Sequence, residues 1–235
     1  MATRQYYEHR VYSFTSAAHR AAFGGFVERA LLPAYARLGI GPVGVFTGVY
    51  GPDNATLHVI VPHPNLESSV GTAAKLLADP EYRTAGERVL GTRIDDPSYC
   101  RYESRLMRAF SGIPTIELPE NNLERAGRIF EIRCYESHSE RAAAKKREMF
   151  NEGGEIELFR RTGLSPVLFG ETVFGPRMPN LTYMLTFDDM AHRDRAWEVF
   201  KNHPDWAALS GDPQYADTVS TITDIILSPT AYSQM

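Results

Sequence analysis

Two short stretches of the sequence place a carboxylate, a guanidinium and a phenol at alternate positions. The first trio is Glu8, Arg10 and Tyr12, and the second trio is Glu131, Arg133 and Tyr135. Alternate residues of a β-strand lie on one face, so each trio is expected to share one side of its strand. A carboxylate and a guanidinium at this spacing can pair with each other or be bridged by a third group.

Two interpretations of the trios stay open. One is a network of buried ion pairs that fixes strand register, since buried charges in proteins are paired. The other is a pocket whose arginines bind an anionic small molecule. Tyr12 and Tyr135 either fill the end of this space or donate hydrogen bonds to the same ligand. We treat both trios as candidate ligand-binding residues and expect them to face a space between two sheets.

His58 joins this candidate set because of its place in an alternating strand. It lies on the face opposite Leu57 and Val59, so it points into the same space if those aliphatic residues face the helices. The alternative is a structural histidine whose hydrogen bonds are satisfied. His9 is on the other face of its own strand from the first trio and is expected to pack beneath a helix.

Several signatures of catalysis are missing from the sequence. There is no glycine-rich phosphate loop, no CxxC or HExxH motif and no nucleophile elbow. The other histidines lack a metal-ligand spacing, so we expect neither a metal nor a cofactor and assign no catalytic residue. Cys100 and Cys134 are far apart and are predicted to be buried, inert thiols in a reducing compartment.

The trios belong to a repeat that runs through most of the chain. The offset between the copies is 123 residues at Glu8 and Glu131 and 124 residues at Gly39 and Gly163. A ladder of matches at this offset indicates two tandem homologous halves. We predict one repeat at residues 1–112, a linker at 113–127 and a second repeat at 128–235.

Hydrophobic periodicity predicts the order βαββαβ in each half. The predicted strands are 6–12, 43–49, 56–61 and 102–110 in the first half, and 129–135, 167–174, 181–187 and 220–227 in the second. Pro33 is expected to kink the first helix or to restart a turn, and Asp79-Pro80 is interpreted as a short segment. Ser137 and Glu140 form a predicted capping box at the start of a helix in the second half.

A βαββαβ unit folds as a four-stranded antiparallel sheet with both helices on one face, which is the ferredoxin-like arrangement. Its other face is bare, and two such sheets can cover each other and close a barrel. The predicted fold class is therefore α+β, with two tandem ferredoxin-like repeats of the dimeric α/β-barrel type.

Composition narrows the range of partners. With 43% apolar and 23% charged residues and a net charge of −4, the chain is typical of a globular protein and has no electrostatic footprint for nucleic acid. No apolar run reaches the roughly 18 residues that span a bilayer, and we see no signal peptide, so a cytoplasmic location is expected. Edge strands and outer helix faces that need covering predict a homo-oligomer, most simply an isologous dimer.

The sequence resembles the NIPSNAP family, whose members share the dimeric α/β-barrel fold. The signature strand of that family is similar to residues 7–12 and 130–135, and its Gly-Pro turn is similar to Gly51-Pro52 and Gly175-Pro176. Further matches are Asn54 with His58, residues 180–185, Arg193, Trp197, residues 203–206 and the tail at 227–233. The first half departs from the family at Ile60 and at residues 68–74, which lack the Arg/Trp pair of the helix.

The resemblance implies little about chemistry, since related barrels include haem-degrading and quinol monooxygenases, isomerases and proteins without known activity. Our leading hypothesis is a self-assembling protein that binds a small anionic ligand between its sheets. The alternatives are a cofactor-light enzyme, monooxygenase-like or isomerase-like, that acts on a small organic substrate, and a purely structural or protein-interaction module.

Overall fold

The computed structural model describes residues 3–49, 55–118 and 127–235, and its contacts divide the chain into two units. The first unit comprises Tyr6–Arg105 with Pro229–Met235, and the second comprises Met1–Gln5 with Leu106–Ser228. Most of the predicted linker lies outside the described residues, as do Gly51, Pro52 and Asn54. The predicted repeat boundaries therefore stay a prediction.

The first unit alternates helices with antiparallel strands. Its elements are β1 (Tyr6–Ser13), α1 (Ala17–Phe26), a π-helical turn (Val27–Leu31), α2 (Leu32–Arg37), β2 (Gly44–Gly48), β3 (Thr56–His63), α3 (Leu66–Ala78), α4 (Pro80–Leu90) and β4 (Arg101–Ala109). β3 pairs with β1 on one side and with β2 on the other. Just before β4, the N–H of Cys100 donates to the Ser13 carbonyl at 2.8 Å, which sets the start of β4 beside β1.

The second unit repeats this order. Its elements are β5 (Ile129–Glu136), α5 (Glu140–Asn151), α6 (Glu155–Arg161), β6 (Ser165–Phe174), β7 (Asn180–Phe187), α7 (Met190–Lys201), α8 (Pro204–Ser210), a 3-10 turn (Pro213–Tyr215) and β8 (Thr221–Pro229). β5 pairs with β7 and β8, and β6 pairs with β7 and with the end of β4, all antiparallel. The prediction of a mixed helix and strand fold is confirmed.

The helices of the first unit cover the sheet face that carries the first trio. Tyr12 stands opposite Leu57 across β1 and β3, and Arg10 stands opposite Val59. Directly opposed residues of antiparallel strands share a face. Tyr12, Leu57 and Val59 lie in one buried cluster with Phe23 of α1. The trio therefore lies under the helices.

The second unit has the same arrangement. Tyr135 stands opposite Leu181 and Glu131 opposite Leu185. Tyr135 and both leucines belong to a buried cluster that includes Trp197 of α7. The prediction that both trios face away from the helices is therefore wrong. The aliphatic residues of β3 and β7 pack against the helices. The trio residues stand directly opposite them on β1 and β5, so they lie on the same, helix-covered face of the sheet.

Two local predictions are corrected by the structure. The Asp79-Pro80 segment begins an 11-residue helix, α4, because the Asp79 carboxylate accepts hydrogen bonds from the N–H groups of Glu81 and Tyr82 at 2.9 and 3.1 Å. α5 is capped by Ser139 rather than by Ser137. The expected restart at Pro33 is confirmed, since α2 begins at Leu32 with the proline in its first turn.

The end of the chain packs along β2 of the first unit. The N–H groups of Thr230 and Gln234 donate to the carbonyls of Val45 and Val43 at 2.9 and 3.0 Å. The Gln234 Oε1 accepts from the N–H of Val43 at 2.7 Å, and Met235 is fully buried. Residues 229–235 therefore belong to the fold of the first unit.

Candidate functional site

Glu131 of β5 is the centre of a polar cluster in the second unit. The residue is fully buried. Its Oε1 accepts hydrogen bonds from Arg133 Nη1 at 2.9 Å and from Arg193 Nη2 at 2.8 Å. Its Oε2 accepts from Arg193 Nε and from Trp197 Nε1, both at 2.8 Å. Four donors thus satisfy this carboxylate, one from its own strand and three from α7.

The cluster keeps Glu131 ionised. Burial alone would raise the pKa of its carboxyl group, but the hydrogen bonds from Arg193 and Trp197 and the charges of Arg193 and Arg133 outweigh burial, so the pKa lies below the ordinary value. Two guanidinium groups therefore share one carboxylate. The buried part of the cluster carries an excess positive charge.

Arg133 is the member of the cluster with unused hydrogen-bonding capacity. Its Nη1 donates to Glu131, whereas its Nε is buried and has no hydrogen-bond partner among the described residues. Its guanidinium carbon lies 4.8 Å from the ring centre of Trp197 and 5.7 Å from that of Tyr135. These two contacts hold the guanidinium against the aromatic rings by cation–π attraction.

A pocket of about 340 Å³ opens beside Arg133. Its lining residues are Arg133, Arg193, Asp194, Trp197, Glu198, Lys201 and Asn202. Residues four apart on a helix share a face, so α7 brings Arg193, Trp197 and Lys201 to this pocket together. The carboxylate of Asp194 accepts from Arg193 Nη1 at 3.0 Å. Glu198 adds a second carboxylate to the lining, so the three cations Arg133, Arg193 and Lys201 share the pocket with two acidic residues.

Glu8 holds the equivalent position in the first unit with different partners. Its Oε2 accepts from Arg10 Nη2 at 2.7 Å, and its Oε1 accepts from the hydroxyls of Tyr102 at 3.0 Å and Ser104 at 2.9 Å. His63 Nε2 lies 3.6 Å from Oε2, which is too long for a hydrogen bond. Burial alone would raise the pKa of Glu8, but His63, Arg10 and Ser104 hold it well below the ordinary value.

The two units therefore use different hydrogen-bond donors for the repeat-equivalent carboxylates Glu8 and Glu131. The repeat offset of 124 residues places Ser69 and Ala73 of α3 where α7 has Arg193 and Trp197. Neither Ser69 nor Ala73 can donate a charged or indole hydrogen bond, and hydroxyls from β4 replace those donors at Glu8. The missing Arg/Trp pair of the first half is thus compensated from the sheet.

His58 lies on the sheet face away from the first trio. It stands opposite Val11, and His9 stands opposite Ile60, so both histidines share that face. The ring nitrogens His9 Nε2 and His58 Nδ1 are 3.1 Å apart, and His58 Nε2 lies 3.3 Å from Thr56 Oγ1. His58 is therefore not brought together with the trio. The expectation that His9 packs beneath a helix is wrong, because its parity on β1 is opposite to that of Tyr12.

Burial holds the pKa of His9 well below its ordinary value, and the charges of His58 and Arg105 act in the same direction. His9 is consequently a neutral imidazole. A neutral imidazole has one donor and one acceptor nitrogen, so the tautomer of His9 decides whether its Nε2 donates or accepts across the 3.1 Å contact with His58.

The tyrosines of the trios fill space under the helices. Tyr12 stacks on Tyr102, with ring centres 4.9 Å apart, and packs against Phe23. The hydroxyl of Tyr135 shares a hydrogen bond of 2.9 Å with that of Tyr183. Both observations favour packing over ligand binding as the role of Tyr12 and Tyr135.

Two features of the second unit are missed by the sequence reasoning. Arg193 and Trp197 stand four residues apart on one helix face and both donate to Glu131, a role that the family match of the two residues does not indicate. Lys146 and Glu155 form a buried ion pair, with Nζ and Oε2 2.8 Å apart. Burial raises the pKa of Glu155 by more than Lys146 lowers it. The sequence signal for this ion pair is Lys146 itself, a lysine within the apolar face of α5.

The cysteines differ from each other. Cys134 is buried as predicted, whereas Cys100 is exposed, so the prediction of two buried thiols is wrong for Cys100, which lies just ahead of β4. Within residues 3–49, 55–118 and 127–235, no three histidine, cysteine or acidic side chains come together as a metal site. Over those same ranges no helix combines the length and the apolar character that crossing a membrane requires.

Two solved structures resemble this chain in fold but share little sequence with it. A candidate monooxygenase from Lactobacillus acidophilus NCFM is 8% identical, with 96% of this chain and 94% of that chain covered and a TM-score of 0.61. A second candidate monooxygenase, from Fusobacterium nucleatum, is 7% identical, with 97% and 94% covered and a TM-score of 0.57. Identities this low show a common fold alone.

A NIPSNAP-like domain protein from Burkholderia xenovorans is 20% identical over 45% of this chain and 88% of that chain, with a TM-score of 0.40. No curated protein shows significant similarity to this sequence. The NIPSNAP family model matches residues 7–96 and again residues 128–234. The two matches span both trios and most of the chain, and the chain therefore belongs to the NIPSNAP family, with the family pattern present twice.

Proposed function

We propose that this NIPSNAP protein binds a small anionic ligand in the pocket beside α7, with Arg133 as the principal contact. The observation that carries the proposal is the buried Nε of Arg133, which has no hydrogen-bond partner among the described residues and belongs to a lining residue of the pocket. A buried donor without a partner costs free energy that a ligand oxygen recovers.

The charge of the cluster favours an anion. Glu131 is already neutralised by Arg193, which binds it through two parallel hydrogen bonds. Arg133 adds one further bond to the same carboxylate and brings a second positive charge. A carboxylate or phosphate oxygen at the free edge of Arg133 balances that charge, and Lys201 at the rim supplies a second cation.

This proposal places the ligand between a sheet and its covering helix rather than between two sheets. Glu131 then acts as a positioning residue that orients Arg133, and the Tyr135 ring lies 5.7 Å from the guanidinium carbon. Glu8, Arg10 and Tyr12 stay predicted as the corresponding set of the first unit. His58 stays a predicted ligand contact on the opposite face of that sheet.

The competing enzyme hypothesis draws on the fold. Two solved structures that resemble this chain over nearly its whole length are named as candidate monooxygenases. Those names describe the two other proteins and give this chain only a hypothesis. A monooxygenase-like or isomerase-like reaction in this chain requires an organic substrate to be consumed. Oxygen uptake or a bound chromophore in the purified protein supports the enzyme hypothesis, and an inert protein that responds to no ligand supports the structural module.

The strand orders β4-β1-β3-β2 of the first half and β8-β5-β7-β6 of the second half support ferredoxin-like repeats of the dimeric α/β-barrel type. Self-association as a homo-oligomer and a cytoplasmic location stay predictions from the sequence. Sedimentation of the intact protein at micromolar concentration tests the first, and fractionation of cells tests the second.

Ligand binding is tested by thermal melts of the wild type, Arg133→Gln and Arg161→Gln against phosphate, acetate and benzoate. Arg161 is the control, since it pairs with Asp205 at the surface and belongs to neither trio. We expect the wild type and Arg161→Gln to be stabilised by at least one of these anions, and Arg133→Gln to lose most of that stabilisation. A wild type that responds to none of them, or an Arg133→Gln variant that responds fully, contradicts the proposal.

A further inference from the structure

The pocket beside Arg133 carries charges of both signs. Its cations are Arg133, Arg193 and Lys201, and its acidic residues are Asp194 and Glu198. A ligand that offers only a carboxylate satisfies the cations but is repelled by the acidic residues, because like charges set against each other cost binding free energy. A ligand that also carries a positive group satisfies both sets. The charges of the lining therefore favour a ligand with two opposite charges.

Two rows of side chains on α7 separate these charges. Residues four apart lie on one face of a helix, so Arg193 and Lys201 form one row with Trp197 between them. Asp194 and Glu198 form the neighbouring row, about 100° further round the helix axis. Arg193 and Trp197 of the first row donate hydrogen bonds to β5, whereas the side chain of Asp194 in the second row is 66% exposed. The pocket thus has a cationic side next to the sheet and an acidic side next to solvent.

Glu198 is the acidic residue of the pocket with unused hydrogen-bonding capacity. The carboxylate of Asp194 already accepts from Arg193 Nη1 at 3.0 Å. Within the part of the chain that the structure describes, the Glu198 side chain makes no hydrogen bond or ion pair, not even with Lys201 three residues later. The lining therefore combines an acceptor, the Glu198 carboxylate, with a donor, the buried Nε of Arg133, and neither is used among the described residues.

The charged lining on α7 is not imposed by the architecture of the repeat. At the repeat offset of 124, the α7 residues 193, 194, 197, 198 and 201 correspond to Ser69, Val70, Ala73, Ala74 and Leu77 of α3. Val70 and Leu77 are 75% and 59% exposed, so a helix in this place does not need charged side chains to lie at the surface. Exposure alone therefore does not explain the two charged rows of α7.

We propose that the pocket beside α7 binds a small zwitterion, a molecule with a carboxylate and an ammonium group, such as an amino acid. This inference rests on the anion site proposed above and extends it to the rest of the ligand. The carboxylate accepts from the buried Nε of Arg133, and the ammonium group donates to Glu198. Charge-assisted hydrogen bonds of this kind are stronger than neutral ones. The cationic side of the pocket repels the ammonium group, so the two charges also fix the orientation of the ligand.

The ligand is expected to be compact. The volume of the pocket, about 340 Å³, is near the lower end of the roughly 300–1,000 Å³ that ligand pockets have in general. Glycine, β-alanine and γ-aminobutyrate are compact zwitterions in which the distance between the two charges increases. Acetate, propionate and butyrate are the same molecules without the amino group. The three resulting pairs isolate the contribution of the ammonium group.

Isothermal titration calorimetry of the full chain with these three pairs tests the proposal. We expect at least one amino acid to bind about tenfold tighter, or more, than its partner without the amino group. Glu198→Gln should weaken the binding of that amino acid by about the same factor. The same variant should leave the affinity for the plain carboxylate unchanged or raise it, because a repulsive charge is removed. Misfolding cannot produce this difference, since it weakens both ligands.

Glu87→Gln is the control, because Glu87 is an exposed glutamate on α4 of the first unit, and this variant should bind both members of each pair as the wild type does. Arg133→Gln should weaken both members of a pair together. Wild type that binds each amino acid and its partner equally overturns the zwitterion while the anion site stands. A preference for the amino acid that persists in Glu198→Gln overturns the assignment to Glu198. Wild type that binds none of the six compounds overturns the anion site as well.

Discussion

The indole N–H of Trp197 donates a 2.8 Å hydrogen bond to Oε2 of Glu131, while the same ring lies 4.8 Å from the guanidinium carbon of Arg133. One side chain of α7 therefore fixes both members of the Glu-x-Arg pair on β5. Because the indole uses its edge for Glu131 and its face for Arg133, it holds the ion pair in one geometry.

Glu131→Gln is expected to be more destabilising than Arg133→Gln. Loss of the carboxylate leaves Arg193 and Arg133 without their buried counter-charge, which costs about 3–5 kcal/mol. Loss of Arg133 leaves Glu131 with three of its four hydrogen bonds, so the cost is about 1–2 kcal/mol. Urea denaturation of both variants measures the free energies of unfolding. Equal losses of unfolding free energy in the two variants contradict the expectation that Glu131 neutralises both arginines.

Stability should fall on acidification below about pH 4.3, the ordinary pKa of an unfolded glutamate. The pKa of Glu131 is lower in the folded protein, so the unfolded state takes up protons first and stability is lost as the pH falls towards the folded pKa. Glu131→Gln lacks this dependence. The free energy difference between wild type and variant should therefore be constant from about pH 6 to 8 and shrink below about pH 4. A constant difference at all pH values contradicts this prediction.

A second loss of stability is expected below about pH 6.5, where a histidine of the unfolded chain becomes charged. His9 has a pKa well below its ordinary value in the folded protein, so protons bind the unfolded state preferentially and stability declines as the pH falls. His9→Gln keeps a donor near the position of Nε2 and does not titrate. The variant should show a shallower decline between about pH 7 and 5, measured by urea unfolding.

The buried pair of Lys146 and Glu155 should be replaceable by apolar residues. The repeat offset of 123 places Phe23 and Leu32 of the first unit at these positions. Lys146→Met or Glu155→Leu alone leaves a buried charge without its partner and costs about 3–5 kcal/mol. The double variant should be as stable as the wild type or more stable, by up to about 4 kcal/mol. A double variant whose loss equals the sum of the two single losses contradicts this expectation.

The strand positions, the repeat and the family resemblance could be predicted from the sequence because they depend on local alternation and on matched spacing. The side of the sheet that the trios face could not. Alternation states which residues share a face, but the choice between faces depends on which strands become neighbours, and the register of Tyr12 with Leu57 decides it. An ionised residue can lie beneath a helix when its partners lie there too.

The partners of Glu131 were unpredictable for a similar reason. Arg193 and Trp197 are 62 and 66 residues away along the chain, and nothing in the spacing of α7 points to β5. In the first half, by contrast, the absence of the Arg/Trp pair was visible in the sequence, and only the replacement donors Tyr102 and Ser104 required the structure.

The short tail at 229–235 bears on the order in which the protein is made. The first unit needs those residues, because Val43 and Val45 bond to Gln234 and Thr230 and because Met235 is buried there. During synthesis its β2 edge waits for a segment translated after all of the second unit. A chain truncated after residue 228 should therefore carry a protease-sensitive first unit, although more than nine-tenths of the sequence is present.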